Sequence, residues 1–191
     1  FMDLGVQQVV GEGSGSGGSK ARSDLLALRM GRIAVLPLGY HWKAHVAKAS
    51  AVPSGVYGAS SAPVKEDWCE KLRSMVKMGV LRGAQYASTE AFFWALGLPW
   101  RMDPLAHLVV GPWKVVYEAS KRGRPSWADL VSLWEDSAGE TGGPMHAARV
   151  ALGWAGLHGS ITGWSGPVGA LVEPMGCPEA TWGEFLVAGL E

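Results

Sequence analysis

The stretch KEDWCEKLRSMVKMGV, residues 65–80, carries the strongest periodic signal in the chain. Leu72, Met75, Val76, Gly79 and Val80 fall at i, i+3, i+4, i+7 and i+8, with Trp68 one turn earlier. That spacing lines the apolar side chains along one stripe of an α-helix.

On the N-terminal side, the period predicts a helix over 21–36, closed by Pro37, and another over 39–51 that stops before Pro53. In the second, Trp42, Val46 and Ala49 share one face, and His41, His45 and Lys48 share another. Residues 53–63, PSGVYGASSAP, read as a turn-rich connector. Before these helices, DLGVQQVV at 3–10 reads as a short strand, followed by a loop of linker composition, GEGSGSGGS at 11–19.

On the C-terminal side, a helix is expected over 88–97 with Ser88 as its N-cap. Asp103-Pro104 is a helix start, an acceptor for free N–H groups followed by a proline that lacks one. Leu105, Leu108 and Val109 form that helix's stripe, which Gly111-Pro112 should kink or split. Ser126 and Asp129 have capping-box spacing, and Trp127, Leu130, Val131 and Trp134 share the face that follows. Helices over 144–156 and 178–188 flank a Gly, Ser and Thr-rich stretch expected to form a small β-hairpin at 158–173. The fold class is therefore mainly α. It is expected to be a multi-helix bundle with a short N-terminal strand and that hairpin, and no internal repeat.

The chain has 191 residues, 48% of them apolar and 18% charged, with 10 tryptophans. That is too apolar for a disordered protein and enough to bury a core. No apolar run approaches the ~18–20 residues of a membrane span, so no membrane partner is expected. Cys69 and Cys177 are far apart and neither lies in a CxxC pair, so a reducing location, nuclear or cytoplasmic, is the expectation. The chain begins at Phe1 and reads as a piece of something longer.

Net charge is zero but unevenly placed. Residues 1–124 hold sixteen Lys/Arg against nine Asp/Glu, and residues 125–191 hold one against eight. Three segments follow: strand and loop at 1–19, a basic helical domain at 20–124, and an acidic helical region at 125–191. A basic front suits a polyanion. Arg22, Arg29 and Arg32 fall within about 80° of one helical face at 100° per residue. Lys43, His45 and Lys48 follow, with Tyr40 and Trp42 interleaved. Cations on a rigid helix beside aromatics suit a phosphate backbone, whose condensed counterions they release without reading sequence. Arginines lying over their own helix's core give the same pattern.

Other chemistry finds less support. Gly13, Gly15 and Gly18 satisfy GxGxxG, but Gly18-Ser19-Lys20 is not the Walker order, and no acid stands about 20 residues on. His41 and His45 are at i, i+4 with no HExxH glutamate and no third ligand nearby. No serine has a GxSxG setting, and no paired aspartates suggest a two-metal site. No cofactor, metal or complete catalytic site is expected.

The order of segments resembles the region just after the palm of non-LTR retrotransposon reverse transcriptases. In that family a Leu-Gly-Val/Ile strand grips the primer end, then come a variable loop and the thumb helices. Asp3-Leu4-Gly5-Val6 stands in that place, followed by the glycine-rich loop. A helix with Arg29 and Arg32, the Lys43 to Lys48 segment, Val52-Pro53, Val56-Tyr57-Gly58 and Pro63 before the 65–80 helix continue the match. Asp103-Pro104 with Trp113, and Gly143-Pro144 to Gly153-Trp154, are similar to the helical region behind the thumb. The match covers about residues 3–160.

The resemblance implies a thumb and connection that hold a primer–template, RNA–DNA hybrid or duplex, by its backbone. Leu4 and Gly5 would support the primer end, and Arg22, Arg29, Arg32, Lys43, His45 and Lys48 would meet phosphates. The palm and its aspartate pair are absent, so no polymerase activity is expected from this chain alone. The alternative is a small helical protein-interaction module with tryptophan-rich faces and no nucleic-acid role.

Overall fold

The helical period extends over most of the chain. The computed structural model describes residues 2–3, 6–7, 16–59, 66–82, 88–95, 100–123, 125–139, 142–166, 169 and 171–190, with backbone alone at 2–3, 6–7, 16–19, 95 and 100. Among them the structure is mainly helical, with one three-stranded antiparallel sheet and a two-stranded N-terminal pair. Two compact units result: Phe1–Gly58 with Val64–His107, and Ala59–Pro63 with Leu108–Glu191.

In the first unit, strands β1 (Met2–Asp3) and β2 (Val6–Gln7) pair antiparallel, Met2 opposite Gln7 and Asp3 opposite Val6. Helix α1 runs Ser16–Ala34, so the last residues of the glycine-rich stretch are already helical and Gly18 lies inside a helix. Gly13 and Gly15 lie outside the described residues. Helix α2 is Tyr40–Val46, continued by a π-helical turn at Ala47–Ala51 and by α3, Val52–Val56.

Pro53 was expected to end this segment, yet the helix passes it. Proline lacks the N–H that would reach back four residues, and its ring crowds that carbonyl. The widened π turn immediately before it accommodates both effects. Residues 53–56 of the expected connector are therefore helical.

Helix α4, Glu66–Leu81, packs on α1. Leu26, Met30 and Ile33 meet Leu72, Val76 and Val80, with Ala44, Ala47, Ala51, Val52, Phe92 and Phe93 completing the core. Small residues set the distance: a Cβ on Gly79 would press on the side chain and backbone oxygen of Met30, at 2.5 and 3.1 Å. Trp68 Nε1 also donates to Ser23 Oγ at 2.8 Å, tying α4 to α1. Ser88 caps a short helical segment as expected, its hydroxyl accepting from the Ala91 amide at 3.3 Å.

Helix α5, Pro104–Arg122, starts where Asp103-Pro104 placed it, and Asp103 Oδ1 accepts from the Leu105 amide at 2.8 Å. It runs through Pro112 without a break. The apolar stripe of Val109, Trp113 and Val116, all buried, outweighs the lost backbone bond.

In the second unit, α6 (Trp127–Asp136) opens on a complete capping box between Ser126 and Asp129. Helix α7 is Gly143–Trp154. Strands β3 (His158–Ser160), β4 (Gly163–Ser165) and β5 (Leu171–Val172) form an antiparallel sheet in that order, one strand more than the expected hairpin. Helix α8, Glu179–Ala188, closes the chain's described part.

Trp113, Trp134, Trp164 and Trp182 are fully buried, and Trp113 lies 4.4 Å from Trp164 and 5.4 Å from Trp134 between ring centres. Trp113 Nε1 donates to the Ala148 carbonyl at 3.1 Å. Arg149 donates to the Trp134 carbonyl and to Ser137 Oγ, and its guanidinium lies 4.2 Å from the Trp134 ring centre, so it caps the end of α6. Four of the tryptophans are thus core, which removes them from any partner surface.

Candidate nucleic-acid interface

Between residues 16 and 58 the chain carries six Lys/Arg and one acid, Asp24. The fold uses some of these cations internally and leaves others toward solvent, a distinction that charge counting cannot make.

Arg22 and Arg29 stand seven residues apart on α1, about 10 Å along the axis at 1.5 Å per residue. They share an open groove of about 520 Å³ with Leu25 and, from the π turn and α3, Ser50, Pro53, Ser54 and Tyr57. One Arg29 Nη donates to the Ser50 carbonyl at 2.7 Å, which holds the guanidinium at the groove. Ser50 Oγ donates to the Val46 carbonyl at 2.8 Å and Ser54 Oγ to the Ala51 carbonyl at 2.7 Å. With both serine hydroxyl protons committed to backbone, the groove's positive charge is that of the guanidinium groups. Burial lowers the Arg22 pKa from its ordinary value, against a smaller opposing effect of Tyr57. An arginine so shifted is still charged at neutral pH.

Arg32 is exposed on the same side of α1, and Lys48 is half-buried in the π turn. Among the described residues Arg29, Arg32 and Lys48 form no salt bridge. His45 is exposed beside Trp42, their ring centres 6.1 Å apart.

Lys43 is placed differently. It is buried, and its ammonium donates to the Ala34 carbonyl at 2.6 Å, the last residue of α1. A cation there satisfies a free carbonyl and the negative end of the helix dipole. Leu4 and Gly5 lie outside the described residues, as do Pro63 and Arg124. Lys121 and Arg122 end α5, Lys121 over the Tyr117 ring at 5.1 Å and Arg122 4.0 Å from Glu118.

The basic character of α4 is also largely internal. Arg73 is buried, with Nε 3.1 Å from Asp103 Oδ1, Nη1 2.9 Å from Glu70, and its guanidinium 5.1 Å from the Phe93 ring centre. Burial pushes the Asp103 carboxyl up to about 6, although Arg73 and the Leu105 amide pull it down. Lys77 is buried with Nζ 3.2 Å from Thr89 Oγ1.

Counted by unit, the first holds twelve Lys/Arg and eight Asp/Glu, the second five and nine. The charge split is therefore milder between units than between sequence halves.

Among the described residues no three His, Cys, Asp or Glu side chains converge on a metal position, and no helix is long and apolar enough to cross a membrane. No family model, curated protein or solved structure matches this chain.

Proposed function

We propose that the first unit holds a nucleic-acid duplex, in particular an RNA–DNA hybrid, by its backbone, as the thumb and following connection of a non-LTR retroelement reverse transcriptase. The observation that supports this reading is a set of cations with no carboxylate partner among the described residues, Arg29, Arg32 and Lys48, beside the Arg22 groove. Cations on a rigid helix that are free to meet phosphates are what counterion release requires. The palm chemistry belongs to a segment that this sequence does not contain.

The triple variant R22Q/R29Q/R32Q tests it, with circular dichroism as the control for folding. Affinity for hybrid should fall about equally on every sequence. Unchanged affinity would remove the α1 face from the reading.

A second reading, a protein-interaction module, is supported by exposed apolar residues on and just beyond α1: Leu28 is 54% and Val35 71% exposed. A partner protein that competes with hybrid for this face would favour it.

A further inference from the structure

Helix α2 and its π turn present two exposed aromatic rings beside a stripe of two histidines and a lysine. Trp42 is 67% exposed and Tyr40 41% exposed. His41, His45 and Lys48, at i, i+4 and i+7, share one face of this segment, and Trp42 and Tyr40 lie to either side of it at 100° per residue. Tyr40 and His41 have ring centres 4.2 Å apart at a 32° tilt, and Trp42 and His45 are 6.1 Å apart. No carboxylate occurs anywhere between Leu25 and Ala59.

The fold does not need these rings. The segment packs inward through Lys43, Ala44, Ala47 and Ala51, small residues plus the lysine that caps α1. On the opposite side Trp42 and Tyr40 leave flat ring faces open to solvent.

We infer that Trp42 and Tyr40 stack on unpaired bases, so that this face takes a single-stranded nucleic-acid extension whose phosphates meet His41, His45 and Lys48. The inference rests on the backbone-binding reading above and adds a second site with a different ligand. Planar rings supply stacking for any base, and a lysine with two imidazoles and no acid beside them can meet the phosphates, the combination of stacking and backbone contact by which single strands are held without sequence reading. An apolar protein partner would be served by the indole but gains nothing from the histidines and lysine around it.

Fluorescence anisotropy with three labelled probes tests this: a blunt RNA–DNA hybrid, the same hybrid with an unpaired extension, and the extension alone as a single strand. The extended hybrid should bind about tenfold tighter than the blunt one, the contribution expected of a stacked base. Trp42→Ala should remove that advantage and leave blunt-hybrid affinity unchanged, while Trp42→Phe should keep most of it. Equal binding of blunt and extended hybrids, or an equal loss on both in Trp42→Ala, would overturn the inference while the backbone reading stands. Trp42-dependent binding of the single strand with no binding of blunt hybrid would uphold the stacking site and overturn the backbone reading. A Trp42-dependent dimer in sedimentation that excludes the single strand would overturn the stacking site and assign the face to a second copy of this chain.

Discussion

Two lysines and two arginines show how differently one charge can be used. Lys43 and Arg73 are buried and bound within the fold, whereas Arg32 and Lys48 make no ion pair among the described residues. Lys43→Met should therefore lower stability by about 1–3 kcal/mol, the cost of leaving a part-buried carbonyl without its charged donor, and leave hybrid affinity unchanged. Arg32→Gln should do the reverse, with stability unchanged in urea denaturation and affinity reduced.

Asp103 adds a pH signature. Its carboxyl titrates near 6 in the folded chain because burial disfavours the anion, and near 3.9 when unfolded. Between those values the folded state binds the extra proton, so this group's contribution to stability grows as pH falls from about 6 to about 4 and is lost as pH rises through 6. Relative to Asp103→Asn, the wild-type chain should gain on the order of 2 kcal/mol over that window. Comparing the two proteins cancels carboxylates with the opposite behaviour, such as Glu90 and Asp129, whose pKa values are lowered. Urea midpoints that move in parallel across the window would refute the assignment.

Among elements, those with a local chemical start signal were readable. Ser126-x-x-Asp129 and Asp103-Pro104 each place an acceptor where free N–H groups need one, and both helices begin there. Ser126→Ala should cost about 1 kcal/mol in thermal or urea unfolding, and Ser126→Asp should recover most of it. The third strand was harder to read because β5 has only two residues, too few for a period. Its partner sheet depends on Gly159, which adopts φ +145° and whose Cβ would strike the Gly163 carbonyl oxygen. Gly159→Ala should therefore destabilise the second unit by more than the few tenths of a kcal/mol typical of an exposed substitution, measurable as a lowered urea midpoint.

Proline misled at 53, and at 112 it does not split the helix. As a local rule it ends helices. Here a π turn absorbs one, and the buried Val109, Trp113 and Val116 stripe outweighs the other. The groove owes its far wall to that first exception, since Ser50, Pro53 and Ser54 reach Arg22 and Arg29 only because the helix continues. A reader of the sequence could place the arginines on one face, but not the wall opposite them or the burial of Lys43, which depend on contacts distant in the chain.

For the molecule as a whole, helical periodicity carried the fold class, and the tryptophans form the core of the second unit. Composition overstated the basic front, because Arg73, Lys77 and Lys43 are internal. The central claim then rests on Arg22, Arg29, Arg32 and Lys48 acting as phosphate contacts. The most direct measurement is the salt dependence of binding to an RNA–DNA hybrid, for the wild-type chain and for R22Q/R29Q/R32Q. Four contacts predict a log–log slope of about −3 to −4, taking the B-DNA coefficient of about 0.9 per phosphate, and the variant should flatten it by about 2 to 3. Binding that ignores salt, or a variant with the wild-type slope, would contradict the account.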